Sequence, residues 1–130
     1  METKFNSQIC TSLEQSKALV ALGLKKETAD CALLPLTDKV TSILVKPGTK
    51  DIVNTIPAWS LHRMLTLLPQ NVKIGKSYYN LVIVQNEFVS LTDDLGDTYT
   101  YFDKRNLYES LLSCIEFLIK DGYFNKEYLV

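Results

Sequence analysis

The sequence predicts an α+β domain: a small antiparallel β-sheet built as a meander, with about three helices packed on one face. Three observations carry that prediction. Apolar residues recur at helical spacing near the beginning, in the middle and at the end of the chain. Between Val72 and Phe102, short β-rich segments follow one another with connections too brief for parallel crossovers. Finally, 130 residues, 46% hydrophobic and 22% charged, is the profile of one ordinary globular domain. Residues 1–130 are read as that single domain, since no repeat or low-complexity tract divides them.

The first helix is announced by TSLEQSKALVALGL. Thr11 followed by Glu14 fits a capping box, so a helix is expected from Ser12 to Leu22. Gly23 is the expected left-handed residue after it, and Leu24 the apolar residue that folds the last carbonyls inward. KKETADCALLPL shows no clear period; Thr28 could cap a short turn ending before Pro35. KVTSILVK, residues 39–46, is rich in β-branched side chains and stops at the Pro47-Gly48 turn signal, which makes it a strand. A polar loop from Thr49 to Asn54 follows.

IPAWSLHRMLTLLP holds the only tryptophan and the only histidine. Leu61, Met64, Leu65 and Leu68 form one apolar stripe of a short helix. With Ser60 as N-cap, Trp59 and Met64 occupy the two positions of a hydrophobic staple, and Pro69 ends the element. Trp59 is read as structural, although partial exposure beside Met64 would make it a contact patch. His62 falls off the stripe and should face solvent. NVKIG, YYNLVIVQN, EFVSLTDD and TYTYFD read as strands separated by Gly75-Lys76, Asn86-Glu87 and DDLGD. The last helix is long, with Asp103 as its expected N-cap and a broad apolar face of Leu107, Tyr108, Leu111, Leu112, Ile115, Leu118 and Ile119. Gly122 should close it.

Three cysteines, an odd number without C-x-x-C spacing, suit a reducing, cytoplasmic setting. A single histidine cannot complete a Cys/His zinc set. No apolar run approaches the roughly 18 to 20 residues of a membrane span, so a soluble protein without a membrane partner is expected. Net charge is −1 and unevenly shared. Residues 1–76 hold ten Lys/Arg against six Asp/Glu, and residues 77–130 hold four against nine. Nothing in this balance resembles a dedicated nucleic-acid binder, which needs a clustered basic face; Lys25-Lys26 and Lys104-Arg105 are the only adjacent basic pairs.

The enzymatic suggestion is a nucleophile paired with His62 as base. Cys10, just before the first helix, is the cysteine a helix dipole could activate, whereas Cys114 belongs to an apolar face. Asp93, Asp94 and Asp97 lack calcium-loop spacing, with Lys104 at the twelfth position, and read as an acidic turn. Tyr99 and Tyr101 alternate with threonines, so both should leave the same sheet face; lacking interleaved Lys or Arg, they are expected beneath a helix rather than against nucleobases. The usual nucleotide-binding motifs are missing, no metal set is seen, and no cofactor is called for. If a binding surface gathers around the opening of the middle helix, its residues are Trp59, His62 and Arg63.

Taken together, CTSLEQSKALVALGL with TAD at residues 28–30, IPAWSLHRMLTLLP and the closing FLIKDGY resemble a family of small uncharacterised proteins from bacterial phages, prophages and other mobile elements. The resemblance implies a shared fold and an intracellular bacterial accessory role. It carries over no catalytic residue. The leading expectation is a non-enzymatic module that binds another protein or itself. A small hydrolase or transferase using His62 or Cys10 is the second, and a weak nucleic-acid-binding protein the third.

Overall fold

The computed structural model describes residues 8–35, 40–44, 55–84 and 88–130. Its elements run in the order α1 (Leu13–Ala21), β1 (Cys31–Pro35), β2 (Val40–Leu44), β3 (Ile56–Ala58), α2 (Leu61–Leu67), β4 (Asn71–Ile74), β5 (Ser77–Val84), β6 (Phe88–Thr92), β7 (Thr98–Phe102) and α3 (Leu107–Lys120). A single 3₁₀ turn spans Lys26–Thr28 and another Lys126–Tyr128. The architecture is α+β, and the expected meander is present: β4-β5-β6-β7 lie in sequence order, antiparallel throughout. A second antiparallel sheet, ordered β2-β1-β3, was not foreseen as a separate layer. The expected turns at Pro47-Gly48 and Asn86-Glu87, and the loop from Thr49 to Asn54, lie outside the described residues.

The helix ends follow local chemistry. Ser12, rather than Thr11, caps α1: its hydroxyl accepts from Gln15 N at 3.2 Å while Gln15 Oε1 accepts from Ser12 N at 2.8 Å. Thr11 is unavailable for that role because its Oγ1 accepts from Trp59 N at 3.0 Å and lies 2.7 Å from Ser16 Oγ. At the other end Gly23 has φ 98°, and Leu24 N reaches back to Leu19 O while Gly23 N reaches Val20 O. Those two bonds satisfy carbonyls that would otherwise be orphaned. Gly122, at φ 81°, closes α3 identically through Tyr123 N to Leu118 O. Asp103 does not cap α3; Asn106 does, accepting from Glu109 N at 3.0 Å. Ahead of that cap, Lys104 N donates to Ser110 Oγ at 3.0 Å.

α3 lies against β6 and β7 on one face of the meander. Its Leu111, Cys114, Ile115 and Leu118 are buried with Leu19 of α1, Met64 of α2, Val72 of β4 and Val89 and Leu91 of β6. Each large aliphatic side chain withdrawn from water contributes about 1.5–3 kcal/mol before entropy is counted. A smaller cluster of Cys10, Cys31, Leu33 and Ala58 sits beneath α1 against the second sheet. Among the described residues no helix is long and apolar enough to cross a membrane.

The two tyrosines of β7 do not share a face. The β6–β7 register shifts between Leu91 and Thr92, so that Leu91 pairs with Thr100 but Thr92 pairs with Thr98. The extra residue breaks the alternation. Tyr99 turns toward α3, its ring 6.3 Å from that of Phe117 and 5.3 Å from that of Tyr79. Tyr101 leaves the opposite face and packs on Phe88.

Candidate functional site

Trp59 and Arg63 both reach Thr28, while His62 stands apart from them. Trp59 is fully enclosed, 0% exposed, and every polar group it carries is engaged. Its indole Nε1 donates to Thr28 Oγ1 at 2.9 Å, its backbone N donates to Thr11 Oγ1, and its carbonyl accepts from Thr11 N at 2.8 Å. With Met64 also at 0%, the pair is enclosed as a staple requires. Arg63 folds back, its Nε donating to Thr28 O at 2.6 Å. His62 faces solvent.

Cys10 and His62 are likewise differently placed. Cys10 forms an isolated bridge with Ser60 and is buried beside Cys31. Burial pushes the Cys31 thiol up to about 12, helped by the Asp30 carboxylate and then by Cys10. Asp30 itself accepts from Ser60 N at 2.8 Å and from Ser60 Oγ. A thiol so raised stays protonated at neutral pH and is a poor nucleophile. Burial alone pushes Cys114 to about 12 as well. Tyr108 is shifted up, chiefly by burial, and its hydroxyl donates to Gln8 O at 3.2 Å. In the acidic turn, Asp93 Oδ1 accepts from Leu95 N at 3.0 Å and Asp97 N at 2.8 Å, and Asp94 accepts from Asn80 at 3.1 Å. Among the described residues no group of three His, Cys, Asp or Glu side chains could hold a metal ion.

The surface that does gather chemistry is the outer face of the meander, opposite α3. Strand pairing builds it in rows: Val84 beside Phe88, then Val82, Ser90 and Tyr101, then Asn80, Thr92 and Thr98. Ser90 is the small residue of the middle row. Flanked by larger side chains it is only 5% exposed, although no helix lies on this side among the described residues. A depression of about 540 Å³ results, lined by Val82, Val84, Phe88, Ser90, Tyr101 and Asp103 with the two threonines. Phe88 and Tyr101 meet edge to face, with ring centres 6.2 Å apart at 69°. Along its floor, Ser90 Oγ lies 3.0 Å from Thr92 Oγ1, which lies 3.3 Å from Thr98 Oγ1. Tyr78, Val82 and Tyr101 are exposed by 59%, 39% and 64% on this face.

Sequence reasoning missed this surface, but a signal was present. LVIV, residues 81–84, is apolar at both parities, whereas a strand covered on one side alternates. Leu81 and Ile83 face the core, which leaves Val82 and Val84 as apolar residues facing out. Comparison of the chain with protein-family models, with curated proteins and with solved structures finds no match in any of the three.

Proposed function

We propose that this domain is a non-catalytic interaction module that binds a protein partner on the outer face of its four-stranded sheet. The observation that carries the reading is the apolar depression between β5, β6 and β7, where Val82, Val84, Phe88 and Tyr101 surround a recessed Ser90 and no helix lies over them among the described residues. An antiparallel sheet can leave one face to water, but that face is then ordinarily polar. Four neighbouring apolar side chains on such a face, uncovered among the described residues, mark a contact surface. The bound partner is an extended protein segment carrying positive charge, because among the described residues the lining of the depression offers hydroxyls and one carboxylate but no cation. The setting we infer with it is the one the resemblance implies, an accessory protein of a bacterial phage or other mobile element working in the cytoplasm. The hydrolase or transferase reading draws no support from Cys10, which is buried, or from His62, which faces solvent.

The test compares tagged wild type, Val82→Glu, Tyr101→Ser and His62→Ala in nuclease-treated bacterial lysate, with quantitative mass spectrometry and a melting curve for each. A stoichiometric protein retained by wild type and His62→Ala, and lost by both outer-face variants at unchanged melting temperature, is the expected result. A partner that the outer-face variants keep, or no partner at all, overturns the assignment.

A further inference from the structure

We propose that the outer-face depression selects an apolar residue followed two positions later by a lysine or arginine, presented on an extended segment of the partner. The inference rests on the interaction reading above and adds the chemistry of the segment. Ser90 pairs with Tyr101 across β6 and β7, and Asp103 lies two residues beyond Tyr101. Two residues along an extended chain span about 6.6 Å, so the recessed floor at Ser90 and the carboxylate at Asp103 are separated by one strand repeat. An extended segment lying along β7 turns alternate side chains downward with that same repeat. It would set one apolar side chain over Ser90, between Val82 and Tyr101, and the next downward side chain at Asp103.

Asp103 makes that second position cationic. It is exposed and, among the described residues, is the one charged residue lining the depression. Lys104 and Arg105 follow it but do not line the depression. A lysine or arginine brings an alkyl stem suited to Phe88 and Tyr101 and a head that reaches the carboxylate. The same face already holds one cation over a phenol: Lys73 Nζ lies 5.6 Å from the ring centre of Tyr78. Asp94 and Asp97, in the turn joining β6 to β7, add negative field at the other end of the row.

The test uses three heptapeptides, Ser-Thr-Val-Thr-Xaa-Thr-Ser, blocked at both ends, in which Xaa is lysine, norleucine or glutamate. Each is titrated into the ¹⁵N-labelled full chain and followed by amide chemical shifts. The lysine peptide is expected to move the Ser90, Tyr101 and Asp103 resonances and to bind at least fivefold tighter than norleucine, with glutamate weakest. Asp103→Asn should erase the difference between lysine and norleucine. Norleucine binding as tightly as lysine on these resonances, or a lysine advantage that survives Asp103→Asn, overturns the cation and leaves the outer face as the contact surface. Shifts confined to another surface, or none with any peptide, overturn the motif; whether the face binds a partner at all is decided separately by Val82→Glu and Tyr101→Ser.

Discussion

Replacing Thr28 by valine should destabilise the domain by about 2 kcal/mol through one orphaned donor. Thr28 is buried, and its hydroxyl works twice, accepting from Trp59 Nε1 at 2.9 Å and donating to Lys25 O at 2.6 Å. Valine keeps the branched shape and removes both bonds. The Lys25 carbonyl still receives Thr28 N at 3.0 Å, so its loss is modest. The indole N–H, in a ring with no exposed surface, is left with nothing. Stranding such a donor costs about 1–3 kcal/mol, partly offset by the added apolar methyl. With a urea slope near ~2 kcal/mol/M, the unfolding midpoint followed by far-ultraviolet circular dichroism should fall by about 1 M. The decisive comparison is made in a Trp59→Phe background, where no donor remains to strand. There, Thr28→Val should cost at least about 1 kcal/mol less, a coupling of the size expected for residues in contact. A cost under ~0.5 kcal/mol in wild type, or equal costs in both backgrounds, would refute the claim that this bond secures the tryptophan.

Stability should decline at alkaline pH through the buried thiols. Their folded values, about 12 for Cys31 and Cys114, stand above the ordinary 9.0, so the unfolded chain releases protons first. The contribution is intact below pH 9 and is lost as pH rises from 9 toward 12, at up to about 1.4 kcal/mol per pH unit for each thiol. Melting curves of wild type and Cys114→Ala between pH 8 and 10.5 should therefore converge as pH rises; parallel curves would contradict it. Gly23→Ala should cost about 1 kcal/mol, because the φ of 98° is unfavourable for alanine while the added methyl meets nothing within 4 Å. The exposed Lys120–Glu116 pair, at 2.6 Å, should contribute under ~0.5 kcal/mol, so Lys120→Ala should leave the urea midpoint nearly unmoved, even in low salt.

What the sequence disclosed was mostly local. The Ser60 cap, the Trp59–Met64 staple, Pro69 as a stop and both glycine closures involve groups within a few positions of one another, and each is present. Consecutive short strands with short connections likewise revealed the meander. Harder to see was the sheet of β1, β2 and β3. CALLP is too short for its period to separate strand from helix, and IPA is a three-residue strand carrying a proline, tolerated because β3 lies at the sheet's edge. The choice between Thr11 and Ser12 as cap could not be made locally, since it is settled by Trp59, 48 positions away. One shift of register sent Tyr99 and Tyr101 to opposite faces, and periodicity carries no trace of such a shift. The outer depression was half legible in LVIV, whose two-sided apolar character announced a second apolar face without saying what would cover it.

The closures around α1 also bear on the order in which the chain can assemble. Gln15 donates to Glu109, 94 positions later, and Tyr108 donates to Gln8, 100 positions earlier. Leu24 pairs with Leu129, Lys25 N donates to Tyr128 O, and Val130 N donates to Gly23 O. None of these contacts can form while a growing chain is still short. During synthesis α1 must therefore wait, its apolar side without its final cover, until α3 and the residues after it have emerged. The strands of the meander each pair with a neighbour in sequence, so their pairing needs no such closure, although their buried face is also covered by α3.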